Sequence, residues 1–179
     1  FTVHDQNVHQ INEVYEKFCK PNGVWLILNP IFSYNEVGDS ISKENLKELE
    51  RWSRKPMVYL NNAFLELRKQ GGNDTNNPSC KAASSTVVIS PENKLILPCY
   101  HLNKEEIPIQ DNLYEVHKYD YRVEKARKMQ GKLPECQGCT INCYFQPSFA
   151  VNLNKYWLKA LPSTIKYSIG KGTWKELVK

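Results

Sequence analysis

Three cysteines fall within eight residues of the stretch LPECQGCTINCYFQP, at Cys136, Cys139 and Cys143, and this cluster constrains the fold more than any other feature. Cys80 and Cys99 precede it in the same half of the chain, whereas Cys19 stands alone near the start. Eighteen residues separate Cys80 from Cys99, thirty-six separate Cys99 from Cys136, and two separate Cys136 from Cys139. A Cys-x-x-Cys pair presents two thiolates to one metal or cluster from a tight turn, and a hairpin can carry Cys80 and Cys99 to the same place. Three uses compete. Disulfides suit secreted chains, and five clustered cysteines leave one unpaired. Structural zinc needs four thiolates in a tetrahedron, and the spacing does not separate zinc from an iron–sulfur cluster. Burial in a core is the common fate of a lone cysteine and is the expectation for Cys19.

At 179 residues, 41% hydrophobic and 24% charged, the chain can bury one good core or two small ones. Its net charge of +5 is spread over many segments with acidic residues interleaved, so nucleic-acid binding is not expected. The longest apolar run, Val24 to Leu28, is too short to span a bilayer, and the expectation is a cytoplasmic protein. Phe1 opens directly on a strand-like segment, which points to a missing front portion of a longer protein.

Residues Phe1 to Gln6 alternate, placing Thr2, His4 and Gln6 on a polar face. Asn7 is positioned to cap a helix whose stripe is Ile11, Val14, Tyr15 and Phe18. The run VWLIL then reads as a strand buried on both faces, completing a right-handed βαβ unit of a larger α/β sheet. A second helix is predicted from near Ser42 through Leu46, Leu49 and Trp52, with Asp39 and Glu44 favouring its start rather than doing acid–base work. A third is predicted on Met57, Leu60, Phe64 and Leu67, stopping at Gly71-Gly72. GGNDTNNPS reads as a linker, with a domain boundary near residue 73. Beyond it, SSTVVIS and KLILPCY flank PEN as a β-hairpin, NLYEVHKYDYRVEKARKMQG reads as one helix, and SFAVNLNKYWLKAL as a closing helix before a basic tail. The expected division is 1–73, 74–147 and 148–179.

CKAASSTVVISPENKLILPCY, followed after a long gap by CQGCTINCYF, resembles the auxiliary-cluster domain of radical S-adenosylmethionine (radical SAM) enzymes of the SPASM and twitch type. In that family a cysteine precedes a β-hairpin, a second ends it, and a later Cys-x-x-Cys completes the site around a [4Fe-4S] cluster. The resemblance covers residues 80–143 and implies four ligands drawn from Cys80, Cys99, Cys136, Cys139 and Cys143, with Cys143 the spare. One auxiliary cluster, the twitch arrangement, is implied rather than two, because no cysteine follows Cys143. His101, just after Cys99, stays outside the implied ligand set.

FTVHDQNVHQINEVYEKF with VWLILNPIF is similar to the fifth strand, helix and sixth strand of that family's partial (β/α) barrel. The fold class implied is α/β for these barrel strands and helices, followed by a small α+β cysteine-rich domain with a β-hairpin. Barrel sites lie at the carboxyl ends of strands, so Thr2, His4, Gln6, Asn7 and Asn29 would border the S-adenosylmethionine and substrate cavity. The hallmark Cys-x-x-x-Cys-x-x-Cys, which binds the cluster that cleaves S-adenosylmethionine, is not in this sequence. The resemblance therefore implies a catalytic N-terminal half as partner, a small-molecule, lipid or peptide substrate, and a reductant protein. A zinc-clamped binding module for protein or nucleic acid is the alternative.

Overall fold

The computed structural model describes residues 1–33, 41–151 and 153–173, so Asp39 and the last six residues of the basic tail lie outside the described residues. The element order is β1 (Thr2–Val3), α1 (Ile11–Val14), β2 (Leu26–Ile27), β3 (Asn29–Pro30), α2 (Lys43–Ser53), β4 (Val58–Tyr59) and α3 (Asn62–Lys69). It continues through α4 (Ala82–Ser85), β5 (Lys94–Leu97), β6 (Glu105–Pro108), α5 (Leu113–Tyr119), α6 (Tyr121–Met129), α7 (Asn142–Ala150) and α8 (Lys155–Lys171). Two compact units result: residues 1–33, 41–70 and 153–173 form one, and residues 71–151 the other. The segment expected at 148–179 is thus shared between them.

In the first unit one extended segment serves two neighbours. The amides of Leu26 and Leu28 donate to the carbonyls of Met57 and Tyr59 at 2.8 and 2.9 Å, while those of Asn29 and Ile31 donate to Phe1 and Val3 at 2.9 and 2.8 Å. Alternate residues of a strand point their backbone groups to opposite edges, so β1, the β2–β3 segment and β4 make a parallel strip of three. Parallel neighbours need crossovers, and α1 and α2 supply them. No closed barrel is formed among the described residues.

VWLIL is buried on one face only. Leu26 and Leu28 join Val3, Ile11, Leu49, Trp52 and Val58 in the core, whereas Ile27 is 45% exposed on the other face, which α8 covers only in part, through Tyr167 against Trp25 and Tyr59. Thr2 and Asn29, register partners in β1 and β3, are exposed.

Several local expectations change for physical reasons. β1 ends at Val3, since the Asn7 carboxamide folds back on it: Oδ1 accepts from the His4 amide at 2.9 Å and Nδ2 donates to the Thr2 carbonyl at 3.0 Å. Asn7 therefore makes no side-chain cap, and Gln6 sits in the turn. After α1 the chain takes a π turn over Tyr15–Cys19, with the Lys20 amide bonded to the Tyr15 carbonyl. That turn leaves Phe18 63% exposed and Cys19 buried, in place of an inward Phe18. The predicted third helix begins later than its spacing suggested. Met57 to Leu60 carries β4 instead, and Asn61 caps α3 by accepting from the Ala63 amide at 3.0 Å.

α2 follows its pattern, with Ser42 as cap and Leu46, Leu49 and Trp52 buried. The closing helix is two helices. α7 ends at Ala150, and Asn154 starts α8 by accepting from the Tyr156 and Trp157 amides at 2.9 and 3.1 Å. No helix among the described residues is long and apolar enough to cross a membrane.

The second unit is built on the antiparallel ladder of β5 with β6, where Leu95, Leu97 and Ile107 meet Val123 and Ala126 of α6 and Ala83 of α4. SSTVVIS forms no strand. Its start is the α4 turn and only Ile89 bridges to Leu95, so Cys99 lies in the loop between β5 and β6 rather than at a hairpin's free end. Asn93 closes the 90–94 turn at φ 57°, a conformation asparagine tolerates. The long predicted helix breaks at Asp120, whose carboxylate accepts from the Arg122 amide at 2.9 Å and starts α6.

Candidate metal centre

Four cysteines from three distant segments face one another in the second unit. Cys80 precedes α4, Cys99 follows β5, and Cys136 and Cys139 flank a tight turn before α7. All four line a single cavity of about 30 Å³ together with His101 and Tyr144. Cys143, in the first turn of α7, is exposed and does not line it; Cys19 belongs to the core of the first unit. All six cysteines are free thiols. Among the described residues, no three His, Cys, Asp or Glu side chains converge on one point as the ligands of a single ion do.

The thiols stand in an environment that holds their protons. Burial pushes Cys80 and Cys139 up to about 12, and the neighbouring cysteines add to the rise in both. Cys99 and Cys136 are raised as well, by burial first. Backbone groups work against this. Cys80 receives a hydrogen bond from the Ala82 backbone, Cys99 from those of Leu102 and His101, Cys136 from those of Leu133 and Gly131, and Cys139 from that of Ile141; each favours the thiolate. A donor set of four soft sulfurs, each already met by backbone donors, suits a thiophilic metal or an iron–sulfur cluster.

The turn that carries Cys136 and Cys139 is held by a residue that reads as linker in the sequence. Asn73 is 1% exposed. Its Nδ2 donates to the Gly131 carbonyl at 2.8 Å and the Cys136 carbonyl at 3.2 Å, and its Oδ1 accepts from the Ser79 and Cys80 amides at 3.2 and 3.3 Å. Its own amide donates to the Cys139 carbonyl at 3.0 Å, and its carbonyl accepts from the Gly138 amide at 2.9 Å. Residues 71–79 are therefore part of the centre and not a tether. The close approach demands glycine: a Cβ on Gly72 would lie 2.2 Å from the Gly138 carbonyl oxygen. The signal in the sequence was slight, an asparagine directly after two glycines.

Tyr144 closes the side of the cavity near Cys99. It is 5% exposed, and its hydroxyl accepts from the Tyr100 amide at 2.8 Å. The His101 ring lies edge-on to Tyr144, with centroids 5.9 Å apart, and burial lowers its pKa.

The polar residues of the first unit are not gathered in the same way. Thr2 and Asn29 are register partners and both exposed, while the Asn7 carboxamide is committed to the main chain of Thr2 and His4. His4 is half-buried and Gln6 exposed. No protein-family model, curated protein or solved structure matches this chain.

Proposed function

We propose that this chain is the C-terminal part of a radical SAM enzyme, in which Cys80, Cys99, Cys136 and Cys139 hold an auxiliary [4Fe-4S] cluster. The observation that carries the reading is the meeting of these four thiols at one cavity, each sulfur with a backbone donor. Zinc would draw its sulfurs within about 3.8 Å of each other, given Zn–S bonds of about 2.3 Å in a tetrahedron. Four soft sulfurs at one cavity suit either group by the chemistry of their donors, and metal and sulfide content separates the two.

When bound through all four thiolates, such a cluster supplies one-electron transfer; held by three of them it would offer an open iron at which a substrate heteroatom can anchor. The protein's own part is to hold and shield. The backbone donors offset the charge of the thiolates, and Ile141 and the Tyr144 side chain keep water from the cavity. Cys143, exposed beside the cavity, is the substitute ligand. The parent would bind S-adenosylmethionine and a second cluster through a separate catalytic half and act in the cytoplasm on a small molecule, lipid or peptide. Thr2 and Asn29 would face that cofactor or substrate.

The test is iron, zinc and acid-labile sulfide content of protein prepared without oxygen, with Cys→Ala changes at 80, 99, 136, 139 and 143. The reading expects four irons and four sulfides per chain, lost at each of the first four positions and kept at 143. One zinc without sulfide overturns it.

A further inference from the structure

We infer that Asn73 is the positioning residue of the thiol centre, fixing Cys80, Cys136 and Cys139 as one preset triplet and leaving Cys99 to close from an independent loop. The inference rests on the reading of these cysteines as a cluster site and adds the order built into it.

Asn73 touches the backbone of each of the three. The Cys80 amide donates to its Oδ1, the Cys136 carbonyl accepts from its Nδ2, and the Cys139 carbonyl accepts from its main-chain amide. A sulfur one rotatable side-chain bond from a fixed backbone has few places to go. Asparagine is suited to the task by chemistry. One end of the carboxamide carries two donors, used on Gly131 and Cys136; the other accepts two bonds, from Ser79 and Cys80. Aspartate keeps only the accepting end, and alanine keeps neither. The burial of Asn73, at 1% exposure, means that water does not stand in for a lost partner.

Cys99 lies outside this network. The backbone around it is tied through the Tyr100 amide to the Tyr144 hydroxyl and through the Asn103 amide to the Cys99 carbonyl. Three donors are thus set by one residue, Cys80 and Cys136 through its side chain and Cys139 through its main-chain amide, and the fourth by another side chain, so the two halves of the site can be loosened separately.

The experiment begins with metal-free protein and measures the rate at which each cysteine is alkylated, by mass spectrometry. Asn73→Ala should speed alkylation of Cys80 and Cys136 at least tenfold while leaving Cys99 within twofold of the unaltered chain, with Cys139, whose carbonyl still meets the main-chain amide of residue 73, accelerated less than Cys80 and Cys136. Asn73→Asp, which keeps acceptance from the Ser79 and Cys80 amides, should speed Cys136 more than Cys80. Phe149→Leu is the control for plain loss of stability, since Phe149 is 1% exposed in the core of the same unit and shares no bond with Asn73. Uniform acceleration of all four cysteines in Asn73→Ala, matching Phe149→Leu, overturns the inference. So does no acceleration. If Asn73→Ala does not fold, the Asn73→Asp pattern decides the same question.

A second measurement uses an equal mixture of ferric and ferrous iron with sulfide, loaded without oxygen, and follows iron release to a chelator together with the electron paramagnetic resonance spectrum of the reduced protein. Asn73→Ala should release iron at least tenfold faster with an altered spectrum, whereas Phe149→Leu should keep the spectrum of the unaltered chain. A loaded variant with unchanged spectrum and release rate overturns the positioning role alone. If the unaltered chain takes up no sulfide while the alkylation pattern holds, the cluster reading fails and the positioning role stands.

Discussion

Replacing Gly72 with alanine should open the second unit, and the neighbouring Gly71 supplies its own control. Both glycines have positive φ, 88° and 81°. An L-residue in that region costs about 1–2 kcal/mol. For Gly71 nothing else is within 4 Å of the added Cβ, so the cost ends there. At Gly72 the Cβ would meet the oxygen, carbon and Cα of Gly138 at 2.2, 2.5 and 2.9 Å. All three are backbone atoms, and no side-chain rotation relieves them. To reach ordinary contact near 3.4 Å the two segments must part by more than an ångström. That separation breaks the bonds from the Asn73 amide to the Cys139 carbonyl and from the Gly138 amide to the Asn73 carbonyl, now 3.0 and 2.9 Å.

At about 1 kcal/mol net for each bond, the Gly72 variant loses roughly 2 kcal/mol more than the Gly71 variant. The entropy that alanine removes from the unfolded chain is common to both and cancels. Two kcal/mol corresponds to about a thirtyfold change in an opening equilibrium. The assay is pulsed alkylation of Cys80 and Cys136 along a urea series. Trp25, Trp52 and Trp157 lie in the first unit, so tryptophan fluorescence reports whether that unit stays folded meanwhile. Equal shifts in the two variants would falsify the close approach of residues 72 and 138.

Phe145 is fully buried with its ring centroid 5.5 Å from that of Phe149, so Phe145→Ala should cost about 3–5 kcal/mol of the second unit's stability in the same alkylation assay; a loss under about 1 kcal/mol would remove it from the core. Asp5 accepts from Asn45 Nδ2 and the Ser42 amide, and these bonds, the Asn45 one foremost, lower its pKa below 3.8. A depressed folded pKa gives stability that is present above the unfolded value and lost as pH falls through the folded one. The first unit should therefore weaken below about pH 4 by tryptophan fluorescence, and Asp5→Asn should flatten that slope; an identical slope in the variant removes Asp5 as its source. With Cys80 and Cys139 at about 12, metal uptake near neutral pH must release protons, so apparent affinity for zinc or ferrous iron should rise from pH 6 to pH 8. An affinity that stays flat across that range would show that these thiols do not ligate.

Where neighbours in sequence decided the structure, the sequence was legible. Ser42 caps α2 and its apolar spacing buries Leu46, Leu49 and Trp52, because a helix needs only its own period and a cap. Gly71 and Gly72 end α3 by a conformation other residues resist. The four cysteines Cys80, Cys99, Cys136 and Cys139, singled out by their spacing, line one cavity. Legibility failed where a distant partner outbid the local pattern. Met57, Leu60, Phe64 and Leu67 fit a helical period, yet the carbonyls of Met57 and Tyr59 accept from the Leu26 and Leu28 amides, and those inter-strand bonds hold the segment extended. Phe18 fits the inward stripe of α1, yet one π turn leaves it exposed and buries Cys19.

Asn73 is the strongest case. Among two glycines and further polar residues it has every local mark of a linker, and the carbonyls that bury its carboxamide belong to Gly131 and Cys136, 58 and 63 residues away. A buried carboxamide with all its hydrogen bonds made is costly to assemble and costly to disrupt, so it can specify a single arrangement of the backbones it joins. In this chain those backbones are the ones that carry the thiols. The polar residue with the least visible role in the sequence thus holds the part of the fold on which the proposed chemistry depends.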